Sequence, residues 1–304
     1  MNYKINDIAL NSVGFIPGRS SNSNLAITGC WDMPSRIGKT HHEWKDENGV
    51  EPYLRADEMF FGGRDISLVG YVSDTDRPKF IAAIQKIYDY IDTLQDGLFT
   101  LSCDLGEWEV QIIDVMSVTY INSGWGNVEF KFRQPVVDLS GNLPIVKSGG
   151  VGIDDYSFAD LGITKMLTKD QAKRPNLKQL DSTSYGFEYI APVRRNMREF
   201  SIDFFVDHPT YDTFNSCIQN LMYLFSQPNA RTLKLDDNTT REFFVKDGFK
   251  ITGVRKIVNR FVGFLTIEIA EIQMLENWNT LTDSSGLILV DQYGQPLAEI
   301  GKRF

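Results

Sequence analysis

Polar and apolar residues alternate along most of this chain, and twice the alternation gives way to a helical stripe. Downstream of Arg64, residues Ile66, Leu68 and Gly70 alternate with Ser67, Val69 and Tyr71, the period-two pattern of a strand. Asp74-Thr75-Asp76-Arg77-Pro78 breaks it. From there to about Gln95, an apolar stripe of Phe80, Ile84, Ile87, Tyr88, Ile91 and Leu94 recurs at helical spacing, with Lys79, Gln85, Lys86, Asp89 and Asp92 on the other side. Asp76 stands where an N-cap carboxylate accepts an orphan amide of the first turn, and Gly97 stands where a helix ends. Strands are predicted at 98–101, 108–112, 115–119 and 127–132, the last stopping short of Pro135. Residues 136–142 close this half with a turn. Weaker alternation over 3–16 predicts one or two further strands ending at Pro17-Gly18. Residues 17–59, rich in Ser, Asn, Gly, Pro and charge, read as a long loop or an extended hairpin. A short strand fits Leu25-Ala26-Ile27, with turns near Pro34 and at Asp46-Glu47-Asn48-Gly49.

This succession returns. Arg198, Phe200 and Ile202 take the places of Arg64, Ile66 and Leu68 at an offset of 134 (198 − 64). A second stripe of Phe214, Ile218, Leu221, Met222 and Phe225 keeps that offset, as does Thr210, another N-capping type, in the place of Asp76. Leu233 and Leu235 match Phe99 and Leu101. Earlier in the chain, Tyr156, Phe158, Asp160, Leu161 and Ile163 repeat Tyr3, Ile5, Asp7, Ile8 and Leu10 at 153 (156 − 3). Later, Gly263, Leu265, Ile267 and Ile269 repeat Gly126, Val128, Phe130 and Phe132 at 137 (263 − 126). Val290, Asp291 and Gly294 repeat Val137, Asp138 and Gly141 at 153 again (290 − 137). The changing offset gives the first copy a longer early loop and places an insertion around 276–286 in the second. The chain thus reads as one unit duplicated: residues 1–148, carrying the loop 17–59, and residues 149–304, ending in a hairpin at 286–304 that turns about 292–295. That hairpin is expected to dock on its own domain or on a neighbouring subunit. The expected fold class is mainly β (α+β), two tandem β-sandwich modules each with one flanking amphipathic helix.

The length of 304 residues suits one large or two ordinary domains, so the duplication fits without strain. A net charge of −9 argues against a nucleic-acid surface, which needs a concentrated basic face. The three cysteines, Cys30, Cys103 and Cys217, are odd in number and far apart, which excludes a disulfide framework and fits folding in a reducing cytosol. The first residues lack the apolar core of a secretory signal, and no apolar run reaches the roughly 18 residues of a membrane span.

Candidate chemistry is sparse. His41-His42-Glu43, with Cys30 in the same loop, is the nearest thing to a metal motif. Adjacent histidines on an extended chain point to opposite faces, and Cys30 lacks the paired spacing of zinc ligands, so a solvated polar loop is the better reading. His208, before Pro209, reads as a turn residue. No Gly-x-Ser-x-Gly stretch and no phosphate-loop motif occurs. Accordingly no catalytic, cofactor-binding or metal-ligating residue is assigned, no cofactor is expected, and the chain is read as a non-enzyme. Of the five tryptophans, Trp31, Trp44, Trp108, Trp125 and Trp278, three sit in or near loops, where they either mark an interface or cover a small local core.

The run Arg64-Asp65-Ile66-Ser67-Leu68-Val69-Gly70, the helix from Pro78, and Val128-Glu129-Phe130-Lys131-Phe132-Arg133-Gln134-Pro135 together resemble the first domain of phage distal tail (baseplate hub) proteins. With the second copy included, the resemblance covers most of the chain. It implies tail-tube-like modules, which are β-sandwiches flanked by one helix that pack side by side into a ring by strand pairing between subunits. It implies a homo-oligomer whose ring joins the tail tube to the tail tip proteins, in the virion tail, after synthesis in the host cytoplasm, with no nucleic-acid sequence recognition and no membrane partner. The family typically carries one such module followed by a different domain, whereas here the module occurs twice. Two assemblies remain open, a hexamer with stacked rings and a trimer of pseudo-sixfold symmetry. The alternative from another class is a carbohydrate-binding β-sandwich protein, which predicts a groove with several aromatics beside Asp, Asn or Arg.

Overall fold

The computed structural model describes residues 1–20, 22–45, 47–94, 97–113, 116–170, 174–178, 194–236, 239–272, 277–280 and 298–301. In the first half, β1 (Lys4–Ile5) and β2 (Ile8–Ala9) form a hairpin, and a 3-10 turn at Leu10–Val13 leads to β3 (Ile16–Pro17) and β4 (Ile27–Thr28). A small ribbon, β5 (His41–His42) with β6 (Glu51–Pro52), precedes β7 (Arg64–Ser73) and α1 (Arg77–Asp92). Strands β8 (Phe99–Cys103), β9 (Gly106–Ile112), β10 (Ser117–Asn122) and β11 (Trp125–Gln134) complete that half. The second half contains β12 (Gly152–Ile153), β13 (Tyr156–Ser157), β14 (Ile163–Lys169), β15 (Arg198–His208), α2 (Tyr211–Ser226), β16 (Arg231–Lys234), β17 (Thr240–Phe244), β18 (Phe249–Ile257) and β19 (Arg260–Glu271). A separate pair, β20 (Asn277–Thr280) and β21 (Ala298–Gly301), follows.

The protein is mainly β, with two helices and antiparallel sheets. The first large sheet runs β2-β1-β8-β9-β11-β7-β3, with β10 added to β11 and β4 to β7; the second runs β13-β12-β16-β17-β19-β15-β14, with β18 added to β19. The two seven-strand orders correspond place for place, and β18 on β19 corresponds to β10 on β11; β4 has no counterpart among the described residues. Period-two burial drives both sheets: β7 buries Arg64, Ile66, Leu68, Gly70 and Val72 and turns the intervening residues outward. Each helix then lays its stripe on the inner face. α1 buries Phe80, Ile84, Ile87 and Ile91, as its spacing predicts. α2 buries a wider set, Phe214, Cys217, Ile218, Leu221, Met222, Leu224 and Phe225, because it is also packed against elements of the first half. One contiguous core runs through both halves.

Register settles the offsets. Ile66 faces Phe132 and Leu68 faces Phe130, while Phe200 faces Ile269 and Ile202 faces Ile267, so the offsets of 134 and 137 describe equivalent positions on paired strands. The N-terminal hairpin corrects the expected 153. Its turn residues Asn6 and Asp7, both at positive φ, correspond to Asp154 and Asp155, also at positive φ, an offset of 148 (154 − 6). The same offset relates the bonds Leu10 N to Tyr3 O and Phe158 N to Val151 O, and the bonds Phe15 N to Leu10 O and Ile163 N to Phe158 O. Leu233 faces Ile153 as Leu101 faces Ile5, so their offset is 132 (233 − 101) and not 134. Alternation is unchanged by the two-residue slip at Leu233 (134 against 132); the five-residue difference at the hairpin (153 against 148) is fixed by its hydrogen-bonded turn.

Two local expectations also change. Asp76 occupies the N-cap of α1 but its side chain makes no capping bond; Asp74 Oδ1 instead accepts the Asp76 amide at 3.2 Å. The helix ends at Asp92, before Gly97, where Thr93 turns both its amide and its hydroxyl onto the Tyr90 carbonyl (3.1 and 2.6 Å). Thr210, by contrast, closes a capping box with Thr213. The expected C-terminal turn at 292–295 lies outside the described residues; Ile300, on the strand leaving it, pairs with Trp278.

Candidate functional site

The residues weighed for chemistry do not converge. His41 Nε2 lies 3.6 Å from Glu43 Oε1 and its ring stands 6.1 Å from that of Phe244. Partial burial, with Lys246 nearby, holds the His41 pKa below its ordinary value. His42 leans on Trp44 at 4.2 Å. Cys30 is fully buried beside Arg64, and burial pushes its thiol well up. His208 Nε2 meets the Gly162 carbonyl at 3.1 Å, a structural bond at the end of β15. Among the described residues no three His, Cys, Asp or Glu side chains gather to hold a metal ion, and no helix is long and apolar enough to cross a membrane.

The geometry concentrates instead where the first half grips the second. The segment 22–35 lies along the outer edge of β18. Met33 N donates to Phe249 O (2.9 Å) and Ile251 N donates to Asp32 Oδ1 (2.8 Å). Asn24 donates Nδ2 to Lys256 O and accepts the Lys256 amide at Oδ1 (2.6 and 2.8 Å). Ser23 Oγ donates to Val254 O and Ser35 Oγ to Asp247 O. The edge groups of β18 are thereby met by loop backbone and small polar side chains, as burial of backbone requires. Burial raises the Asp32 carboxyl to about 6, although the Ile251 amide, Arg64 and Lys250 all favour its charge.

An aromatic bolt stands behind this edge. Trp31 is 2 % exposed and meets Tyr211 and Phe214 of α2 edge-on at 6.5 and 6.1 Å. A second grip lies at the end of the β5–β6 ribbon. There Lys178 Nζ donates to the carbonyls of Trp44, Glu47 and Gly49 (2.7, 2.9 and 2.7 Å), and Gly49 N donates to Arg195 O (3.0 Å). The loop 17–59 is therefore packed, and much of it belongs by contact to the second half. The run Leu25, Ala26, Ile27, Cys30, Trp31 and Met33, all buried, was the available sequence signal within an otherwise polar stretch. Trp31 and Trp108 are core residues, while Trp44 and Trp125 are exposed; the Trp278 side chain lies outside what is described.

A feature that sequence reading missed recurs in both halves. Arg64 pairs across the ladder with Gln134, and its Nε donates to Gln134 Oε1 at 2.8 Å. Arg198 occupies the same place opposite Glu271, at 3.6 Å, with Arg241 NH1 at 3.5 Å from the same oxygen. Glu271 is buried, and burial raises its pKa. Arg64 also borders a cavity of about 200 Å³ between the halves, lined by Trp31, Trp108, Gln134, Tyr211 and Gln219.

The outer face of the first sheet is a shallow trough of about 880 Å³, lined by Ser67, Tyr71, Thr119, Asn127 and Glu129 among others. Beside it, Trp125 packs on Tyr71 at 5.3 Å. β10 borders this trough and, among the described residues, pairs with β11 alone. Its Tyr120 and Ile121 are 64 % and 55 % exposed.

No protein-family model matches this chain, and no curated protein matches it. Among solved structures, the SPP1 Dit (gp 19.1) protein, described as a paradigm of the hub adsorption apparatus in phages infecting Gram-positive bacteria, is similar over 89% of this chain and 98% of its own, with 11% identity and a TM-score of 0.33. The likeness is too slight for the fold or role of this chain to follow from it.

Proposed function

We propose that this chain is a structural component of a phage or prophage tail baseplate, of the distal-tail or hub kind. Its halves, residues 1–148 and 149–304, are then two copies of one tail-tube-like module. Copies of the chain assemble by strand and loop contacts into a ring, either a hexamer with stacked rings or a pseudo-sixfold trimer. That ring joins the tail tube to the tip in the virion, after synthesis in the host cytoplasm. The observation that supports this reading is one strand order laid down twice in tandem, each time with an amphipathic helix after the same strand. A repeated unit with open sheet edges is suited to symmetric assembly, which removes those edges from water. The test is the mass and shape of the purified protein, by sedimentation and electron microscopy, and its position on isolated tails. Rings of three or six chains are expected. A chain that stays monomeric at high concentration and is missing from tails overturns the reading.

A second reading has one observation in its favour. The trough beside Tyr71 and Trp125 offers stacking surfaces with Asn127, Glu129 and Arg19 close by, as a carbohydrate-binding sandwich requires. Glycan-array binding by the purified protein, lost on Trp125→Ala, would move the assignment to that class.

A further inference from the structure

We infer that the free edge of β10 is the docking site for a second copy of this chain, whose second half covers it as residues 22–35 cover β18 within one chain. The inference rests on the ring reading above and identifies the contact by which the ring grows.

β10 and β18 are equivalent strands. Val118 faces Val128 on β11, and Ile251 faces Leu265 on β19, the same place in each sheet. Ile251 turns its amide away from β19, toward Asp32. On β18 that outer edge is occupied at Phe249, Ile251, Val254 and Lys256, and just before the strand at Asp247, by the first half of the same chain. Among the described residues the matching edge of β10 carries no such segment. Among the described residues the Tyr88 hydroxyl alone hydrogen-bonds beside it, at the Met116 carbonyl just before the strand (3.5 Å). The strand beside this edge also bears exposed apolar side chains: Tyr120, whose ring meets Phe80 of α1 at 5.9 Å, and Ile121 are more than half exposed, and Trp125, across the turn, is 43 % exposed. An unpaired apolar edge is a template for another chain, and soluble proteins cover it or blunt it with charge. No Lys, Arg, Asp or Glu lies on β10 itself.

The occupant follows from the internal contact. Within a chain, the first half supplies the covering segment and the second half supplies the covered strand. Among the described residues the uncovered counterpart is the first half's own strand, and a repeat of the same contact covers it with the second half of another copy. Such a contact is head-to-tail, so it repeats until the rotation closes a ring. It places both halves of every chain in that ring, which selects the pseudo-symmetric arrangement over two stacked rings.

The test uses the full chain with a photo-activatable phenylalanine derivative in place of Tyr120, mixing isotopically light and heavy protein so that cross-links between chains are recognised by mass. Cross-links from position 120 to residues 149–304 of another copy are expected. In parallel, the double variant Tyr120→Lys, Ile121→Lys, checked for unchanged circular dichroism, is expected to raise the concentration needed for assembly at least tenfold. Assembly unaffected by the lysines, with no inter-chain cross-links from position 120, overturns the docking site and leaves the ring reading intact. Cross-links from 120 to the same strand of another copy overturn the head-to-tail geometry in favour of a two-fold pair. A chain that never associates overturns both this inference and the ring.

Discussion

Asp32 Oδ1 accepts the Ile251 amide at 2.8 Å across the boundary between the two halves. Burial raises its pKa from 3.8 to about 6. With the folded value above the unfolded one, the native chain keeps a proton that the unfolded chain has already lost between about pH 4 and pH 6. Stability therefore falls as pH rises through that window, and at higher pH the full cost of a buried carboxylate persists. A difference of about 2 units corresponds to about 3 kcal/mol. Asp32→Asn keeps an Oδ1 acceptor for the Ile251 amide and removes the charge. The variant is expected to be more stable than the parent by about 3 kcal/mol at pH 7.5 and by only about 1 kcal/mol at pH 4.5. The new amide nitrogen needs a partner, and if it finds none both gains drop by roughly 1 kcal/mol, leaving their difference of about 2 kcal/mol unchanged. Urea denaturation at the two pH values, followed by tryptophan fluorescence, measures that difference. Equal effects at both pH values, or a parent more stable than the variant at pH 7.5, would show that the Arg64 and Lys250 charges outweigh burial, and the reasoning would fail.

Other outcomes follow from the same contacts. Thr210→Ala removes a capping box and is expected to cost about 1 kcal/mol, while Asp76→Ala, at a cap without a side-chain bond, costs less than half as much; paired thermal melts decide. Gly248 sits at φ +69° with a Cβ position 2.5 Å from the Met33 carbonyl, whereas Gly38, at φ +82°, has open space. Alanine at Gly38 is expected to cost about 1 kcal/mol for the left-handed backbone alone, and alanine at Gly248 at least about 1 kcal/mol more through displacement of the segment on β18. A nearly equal cost at the two glycines in chemical denaturation would remove that segment's energetic role. In the native state Cys103 is expected to react with a thiol reagent well before Cys30 or Cys217, which are buried and whose thiols burial pushes up, in the case of Cys217 to about 12; peptide mapping of the labelled protein reads the order.

The stripes of Phe80, Ile84, Ile87 and Ile91 and of Phe214, Ile218, Leu221 and Phe225 were legible because a helix buries one face at a fixed spacing, whatever it packs against. The pairing of Ile66 with Phe132 and of Phe200 with Ile269 came from the structure; the offsets of 134 and 137 matched the strands of the two halves but did not say which strands pair. The offset for Leu101 was not legible, because alternation carries face and not register; that for Ile5 was not, because β1 and β12 are two residues long and too short to show a period. The grip of residues 22–35 on β18 was hidden for another reason. Its bonds run from Ser23, Asn24, Asp32 and Ser35, polar residues that read as loop, to backbone groups more than 200 positions away.

Sequence alone determined the two helices, the long strands β7 and β11 and the inner faces of these elements, and offered the duplication as a reading, because these depend on local periodicity and on water's exclusion from apolar side chains. Tertiary structure decided which edges are covered. β10 and β18 have similar places in their sheets, yet β18 is bonded along its length by the other half of the chain, while β10, among the described residues, pairs with β11 alone. Edge coverage depends on backbone groups that every residue carries, so no pattern of side chains announces it.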